Sequence, residues 1–140
     1  MKKKYCLFAN IVLLAWFFLD MIGVYFEDSY LVTRSWREDG IFFVISLIAL
    51  FVFLLKENIG KYILIAWQSL WLISQFISHE WYTIVGGGEG KIHFFEGSIK
   101  LLNSGSRYIP DVYHIILHIL ILVALITTII YAIKLKKTQW

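Results

Sequence analysis

Four long apolar stretches fill most of this chain and leave few ways for it to fold. Of its 140 residues, 59% are hydrophobic and 16% are charged, whereas soluble domains have about 45–50% apolar and about 25% charged residues. The apolar residues are concentrated in runs close to the ~20 residues that a helix needs to cross a bilayer. The sequence therefore predicts an all-α integral membrane protein.

The apolar runs predict four transmembrane helices, at about residues 5–26, 41–55, 62–79 and 110–133. Residues 27–40 and 80–109 would form two loops on one side of the membrane. The second span is short, because a helix over residues 41–55 covers only ~22 Å. We nevertheless count this run as a span, because an even number of crossings places both basic termini on the same side of the membrane. We expect one domain, an antiparallel four-helix bundle over residues 1–140.

The basic residues predict the orientation of this bundle, because lysine and arginine mark the cytoplasmic side of a membrane protein. They precede the first run, flank the turn between the second and third runs, and follow the last run: Lys2, Lys3, Lys4, Lys56, Lys61, Lys134, Lys136 and Lys137. Both termini are thus predicted to be cytoplasmic, and the pattern suits a bacterial plasma membrane. No basic stripe suitable for nucleic acid is present.

The second outer loop, residues 80–109, is long for so small a protein, and long loops are usually functional or partly structured. Apolar residues recur at helical spacing within it, at Ile92, Phe95, Ile99 and Leu102. This spacing predicts a short amphipathic helix over residues 91–103 that lies on the outer membrane surface. The preceding glycines at 86–88 and 90 lack the context of a phosphate-binding loop and are interpreted as a hinge.

Ionisable residues in the fourth span give the sharpest functional signal. His114 and His118 are four residues apart and share one helix face, and Asp111 lies nearly on the same face. His118 would lie ~12 Å from the start of this span. Because ionisable residues within a bilayer are costly, they indicate a functional site by default.

Two other spans carry polar residues that could meet this face. Gln75 and His79 are four apart in the third span, and Glu80 follows at its outer mouth. Asp20 lies in the first span and should face the bundle interior, since a lipid-facing carboxylate costs ~2.5–3.5 kcal/mol by insertion scales. We expect His114, His118 or Gln75 to be its neighbour.

Four interpretations of this polar cluster remain open. The residues could be hydrogen-bonded packing groups, which are common between membrane helices. His79, His114 and His118 with a carboxylate could bind a metal ion or haem. The cluster could relay protons or ions. In an enzyme, His114 or His118 would act as acid or base, with Asp20 or Asp111 orienting it.

The zinc-protease pattern is excluded. It begins correctly at His79 and Glu80, but Thr83 occupies the position where that motif requires a second histidine.

The function favoured by the sequence is that of a binding or accessory membrane protein. Its ligand-binding residues would be His79, Glu80, Gln75, His114 and His118. The ligand could be a metal, a haem or a lipid-like molecule. Its partner, besides the bilayer, could be another membrane protein or a second copy of the chain. The alternative is a small intramembrane enzyme that acts on a lipid or isoprenoid, and a third hypothesis is a proton-coupled transporter or channel subunit.

Overall fold

A computed structural model describes residues 1–138 of the chain, which are mostly helical. Four long helices dominate it, and two short strands and two short helices lie between them. In chain order these are α1 (Lys3–Ile22), β1 (Val24–Tyr25), β2 (Tyr30–Val32), α2 (Trp36–Leu55), α3 (Glu57–Ser78), α4 (Glu80–Val85), α5 (Glu89–Phe94) and α6 (Val112–Thr138).

The long helices form a closed antiparallel bundle, in which α2 and α6 each pack between α1 and α3. At one end, Lys3 forms an ion pair of 2.8 Å with Glu57, and Cys6 Sγ lies 3.3 Å from Thr128 Oγ1. This end, where α1 and α3 begin and α2 and α6 end, is called the terminal end. The opposite end, which carries both long connections, is called the loop end.

Three helices are long and apolar enough to cross a membrane: Lys3–Ile22, Trp36–Leu55 and Val112–Lys137. Their apolar side chains also cover much of the outer surface of the bundle; Phe8 and Leu55, for example, are each 68% exposed. Soluble proteins rarely expose large contiguous apolar surfaces. The length of these helices and their exposed apolar surface therefore give the chain the character of an integral membrane protein.

The turn between α2 and α3 brings these helices unusually close together. Lys56 alone separates them. Gly60 faces the end of α2, where an added Cβ would lie 2.5 Å from the backbone nitrogen of Phe53 and closer still to its Cα. Real Cβ atoms do not make such contacts with backbone, so this packing requires glycine.

The centre of the bundle contains a small polar network within an apolar core. The Gln68 amide donates to Asn10 Oδ1 over 2.5 Å, and the Asn10 amide donates to the Cys6 carbonyl oxygen over 2.9 Å. These bonds link α1 to α3, and the contact between Cys6 and Thr128 extends the link to α6. The network holds three helices in register.

The first loop forms a short hairpin that the sequence pattern did not predict. Gly23 ends α1 with a positive φ of 74°, which glycine adopts readily. Strand β1 then pairs with β2 in antiparallel fashion. Helix α1 consequently stops short of residue 26, the expected end of the first span. Helix α2 starts at Trp36 rather than residue 41, with Glu38 and Asp39 in its first turn, where carboxylates suit the helix dipole.

The second loop is attached to this hairpin by backbone hydrogen bonds. The Tyr30 N–H donates to the Gly97 carbonyl oxygen over 3.1 Å, and the Ile99 N–H donates to the Tyr30 carbonyl oxygen over 3.0 Å. Of the helix expected over residues 91–103, only the part up to Phe94 is helical. The positive φ of Gly97 and the pairing with Tyr30 turn the following chain away from a helix.

Candidate functional site

Three of the four histidines meet at the loop end of the bundle. The rings of His79 and His114 are stacked, with their centroids 4.3 Å apart. His118 lies 5.3 Å from His79 and 6.2 Å from His114, again between ring centroids. These three residues are called the histidine cluster. The fourth, His93, is exposed on α5.

The second loop covers this cluster with aromatic side chains. The Phe95 ring lies 5.3 Å from the ring of His114 and 5.9 Å from that of His79. Tyr108 is buried, and its hydroxyl is hydrogen-bonded to His79 Nδ1 at 2.5 Å. Burial raises the pKa of Tyr108 above its usual range, and the nearby carboxylates of Asp111 and Glu80 raise it further, so the phenol stays neutral.

Asp111 orients His114 from the start of α6. Its Oδ1 accepts a hydrogen bond of 2.9 Å from the His114 backbone N–H, which caps the first turn of the helix. The same oxygen lies 2.7 Å from His114 Nδ1, and Asp111 is only 1% exposed. Asp111 and His114, whose spacing predicts a shared helix face, are therefore in direct contact.

His118 lies between two polar side chains. Its Nδ1 is hydrogen-bonded to Glu80 Oε1, and its Nε2 lies 3.0 Å from Gln75 Oε1. Both ring nitrogens are therefore engaged, one by a carboxylate and one by a side-chain amide. The second oxygen of Glu80, Oε2, is buried and has no hydrogen-bond partner in residues 1–138.

An apolar groove begins at this pair and follows the boundary between α3 and α6. It has a volume of about 270 Å³. Apart from Glu80 and His118, its lining consists of apolar side chains: Leu72, Phe76, Ile119 and Leu122. This feature is called the lateral groove, because Phe76 and Ile119, at 43% and 54% exposure, lie on the outer surface of the bundle.

A second cavity lies on the other side of the cluster, beneath the two loops. It has a volume of about 360 Å³, and its lining includes His114 and the carboxylates of Asp20, Glu38, Asp39 and Asp111. Among the described residues that line it, Arg34 is the one with an arginine or lysine side chain. The histidine cluster thus separates an apolar groove from an acidic cavity.

Asp20 faces the interior, as its cost in lipid predicts, but it has different neighbours from those expected. It is 4% exposed and lies beside Ser35 and Asp39 at the start of α2. No hydrogen bond joins it to a histidine or to Gln75 in the described part of the chain. The carboxylates that contact the histidines are those of Asp111 and Glu80.

Within residues 1–138, no group of three or more histidine, cysteine, aspartate or glutamate side chains is arranged to hold a metal ion. His79 and His114 approach through their ring faces, whereas a metal requires ring nitrogens that converge on one point.

Two contacts at this site could not be found by helical spacing. Glu80 and His118 are 38 residues apart, and His79 and Tyr108 are 29 apart, so only the tertiary fold joins them.

Comparisons with protein-family models, with curated proteins and with solved structures give no match for this chain.

Proposed function

We propose that this protein is a four-span integral membrane protein that binds a lipid-like ligand in the lateral groove. The observation that supports this most directly is the imidazole–carboxylate pair of His118 and Glu80 at one end of an otherwise apolar groove. Ligand sites typically combine apolar walls with a few polar groups that fix orientation. A groove with one polar end suits an amphiphile.

The dimensions of the lateral groove suit part of an extended lipid chain. Leu72 and Phe76 are four residues apart on α3, and His118 and Leu122 are four apart on α6, so each of these pairs extends ~6 Å along its helix. The volume of about 270 Å³ accommodates a segment of alkyl or isoprenoid chain rather than a large headgroup. Because the groove is open on its outer side, the ligand would enter from the lipid phase.

Helix α3 is proposed as the fourth span. Its polar residues Lys61 and Gln68 are buried inside the bundle, whereas Leu70 and Ile73 are among its exposed side chains. The surface that it would present to lipid is therefore apolar. Its antiparallel packing between α2 and α6 also requires it to occupy the same depth as they do.

We propose that the terminal end of the bundle faces the cytoplasm, because the lysines at the chain ends and near the central turn collect there. The second loop would then lie at the outer surface, where the exposed side chains of Phe94, Leu101 and Leu102 contact the interface. Such a surface position is consistent with a plasma membrane protein of a bacterium.

Single cysteines test this topology. In a Cys6→Ser background, Gly105→Cys in the second loop is expected to react with an impermeant maleimide on intact cells. Asn58→Cys in the first turn of α3 should react only after the membrane is permeabilised. Both positions are exposed, so the reverse pattern, or equal labelling of the two, would contradict the proposed orientation.

Photolabelling tests the binding function. A long-chain alcohol that carries a diazirine in its alkyl tail, added to the protein in phosphatidylcholine nanodiscs, is expected to label lateral-groove residues above other lipid-facing positions. Leu122→Trp fills the groove and should lower this labelling about fivefold or more, because the bulkier indole excludes the diazirine-bearing tail and removes its packing contacts with the groove walls.

Leu70→Trp is the matched control, because Leu70 is 64% exposed on α3 but does not line the groove. Labelling in this variant should remain at the level of the native protein. Uniform labelling of all lipid-facing residues would indicate ordinary annular lipid and would count against the proposed function.

A second candidate function is an intramembrane enzyme, favoured by the pair of Asp111 and His114. Asp111 holds Nδ1 of His114 at 2.7 Å, which leaves Nε2 to exchange a proton with a substrate in the acidic cavity. This is the arrangement of an oriented general base. A chemical change in a bound lipid or isoprenoid that requires His114 would favour this function over binding alone.

A further inference from the structure

We infer that the lateral groove selects a neutral lipid whose polar end donates a hydrogen bond, such as a long-chain alcohol, and that Glu80 Oε2 is the acceptor. This inference rests on the proposed binding function and specifies the chemical class of its ligand. It follows from an unsatisfied oxygen, from the contacts of Glu80 with His118 and from the direction of the groove.

The unsatisfied oxygen requires a donor. Glu80 Oε2 is buried and has no hydrogen-bond partner in the described residues. Leaving a buried carboxylate oxygen without a donor is more costly than losing an ordinary hydrogen bond. Glu80 lines the lateral groove, and its side chain is 30% exposed. Rotation of the carboxylate would present Oε2 to a headgroup O–H, which would then donate a charge-assisted hydrogen bond.

The contacts of the pair favour a neutral headgroup. Both ring nitrogens of His118 are already engaged by Glu80 and Gln75. A trimethylammonium headgroup has no N–H to donate to Glu80 Oε2 and would bring a further charge into an apolar groove, which is unfavourable. An anionic headgroup would meet the carboxylate oxygen. An alcohol adds a donor without adding charge.

The direction of the groove matches the orientation of such a lipid. Glu80 and His118 lie towards the loop end, whereas Leu122 lies one turn further along α6 towards the bundle centre. A headgroup at Glu80 would therefore lie near the outer membrane surface, and its tail would point into the bilayer. A lipid of that leaflet already has this orientation and can enter without inverting.

Three photoprobes with the same diazirine-bearing tail test the inference. One ends in a primary alcohol, one in the corresponding methyl ether and one in a trimethylammonium group. With the full-length protein in phosphatidylcholine nanodiscs, the alcohol is expected to label the lateral groove about tenfold more efficiently than the ether, the ratio given by one charge-assisted hydrogen bond. The ammonium probe should label no better than the ether.

A variant of the acceptor provides a second measurement. Glu80→Gln should reduce the ratio of alcohol to ether labelling to about threefold or less, because the amide oxygen accepts more weakly than a carboxylate. Glu96→Gln is its matched control, since Glu96 is an exposed residue of the same loop, and it should leave the ratio unchanged. If Glu80→Gln does not fold, the comparison of the three probes on the native protein still tests the choice of headgroup.

The outcomes separate this inference from the function on which it rests. Equal labelling by alcohol and ether, or strongest labelling by the ammonium probe, would overturn the choice of headgroup while leaving lipid binding intact. If no probe labels the groove above other lipid-facing positions, lipid binding itself is wrong. Crosslinking of a second copy of the chain through the groove would assign it to protein contacts and overturn both.

Discussion

Replacing Gly60 with alanine is expected to lower the free energy of unfolding by about 3 kcal/mol or more. The added Cβ would lie 2.5 Å from the Phe53 nitrogen and about as close to the Val52 carbonyl carbon, at 2.7 Å. These are backbone atoms of the adjacent helix, so no side chain can move aside to relieve the clash. Helices α2 and α3 would have to separate, which outweighs the ~1 kcal/mol by which alanine favours a helix.

Reversible unfolding in mixed detergent micelles, followed by tryptophan fluorescence, measures this effect. Gly40→Ala is the matched control, because Gly40 also lies in a helix but an added Cβ there meets nothing within 4 Å. That variant should be neutral or more stable by up to ~1 kcal/mol. A Gly60→Ala protein as stable as the native one would show that α2 and α3 do not approach as closely as described.

Replacing His118 alone is expected to destabilise the protein more than replacing His118 and Glu80 together. In His118→Leu, Glu80 Oε1 loses its partner, so both oxygens of the carboxylate are left without one beside apolar side chains. Glu80 is 30% exposed and His118 10%, so the loss should be about 2 kcal/mol rather than the ~3–5 kcal/mol of a fully buried pair. The double variant with Leu at both positions should regain most of this stability, because apolar packing often replaces an ion pair without loss.

The same variants separate stability from binding. The double variant is expected to unfold near the native midpoint and yet lose selective photolabelling by the alcohol probe, since the acceptor is gone. Unfolding midpoints of the native protein, both single variants and the double variant form a mutant cycle that gives the coupling energy. Additive effects of the two single substitutions would indicate that His118 and Glu80 do not interact.

Much of the helical architecture follows from the sequence because its causes are local. Apolar run lengths predict the long helices, and the short turn expected over residues 56–60 predicts antiparallel packing of α2 and α3; in the structure α3 already begins at Glu57. The helix ends are less predictable. Helix α1 ends at Ile22 because Gly23 adopts a positive φ, whereas apolar composition alone extends the first span to residue 26.

The second loop was difficult to predict for a different reason. Apolar residues at helical spacing in residues 91–103 indicate a helix, but the backbone of Tyr30 pairs with Gly97 and Ile99 and draws this segment into an extended path. Local periodicity carries no information about a strand about 70 residues earlier in the chain. The short hairpin in the first loop is therefore the reason that the helix ends at Phe94.

The candidate site shows the same division between local and distant contacts. The spacing of Asp111, His114 and His118 predicts a shared face, and Asp111 does contact His114. The pairs of Glu80 with His118 and of Tyr108 with His79 depend on the tertiary fold. The burial of Asp20 could be predicted from the cost of a carboxylate in lipid. Its neighbours could not be predicted, because the start of α2 folds over Asp20 and places Ser35 and Asp39 beside it.

The position of the lateral groove also determines how a ligand would be supplied. The second loop, which covers the histidine cluster, is hydrogen-bonded to the first loop through Tyr30, whereas the groove is open on its side. Binding of a ligand would therefore not require the second loop to move. The aqueous solubility of the ligand would not limit binding either. Occupancy would instead follow the mole fraction of the ligand in the surrounding leaflet, so the protein would respond to membrane composition rather than to concentration in water.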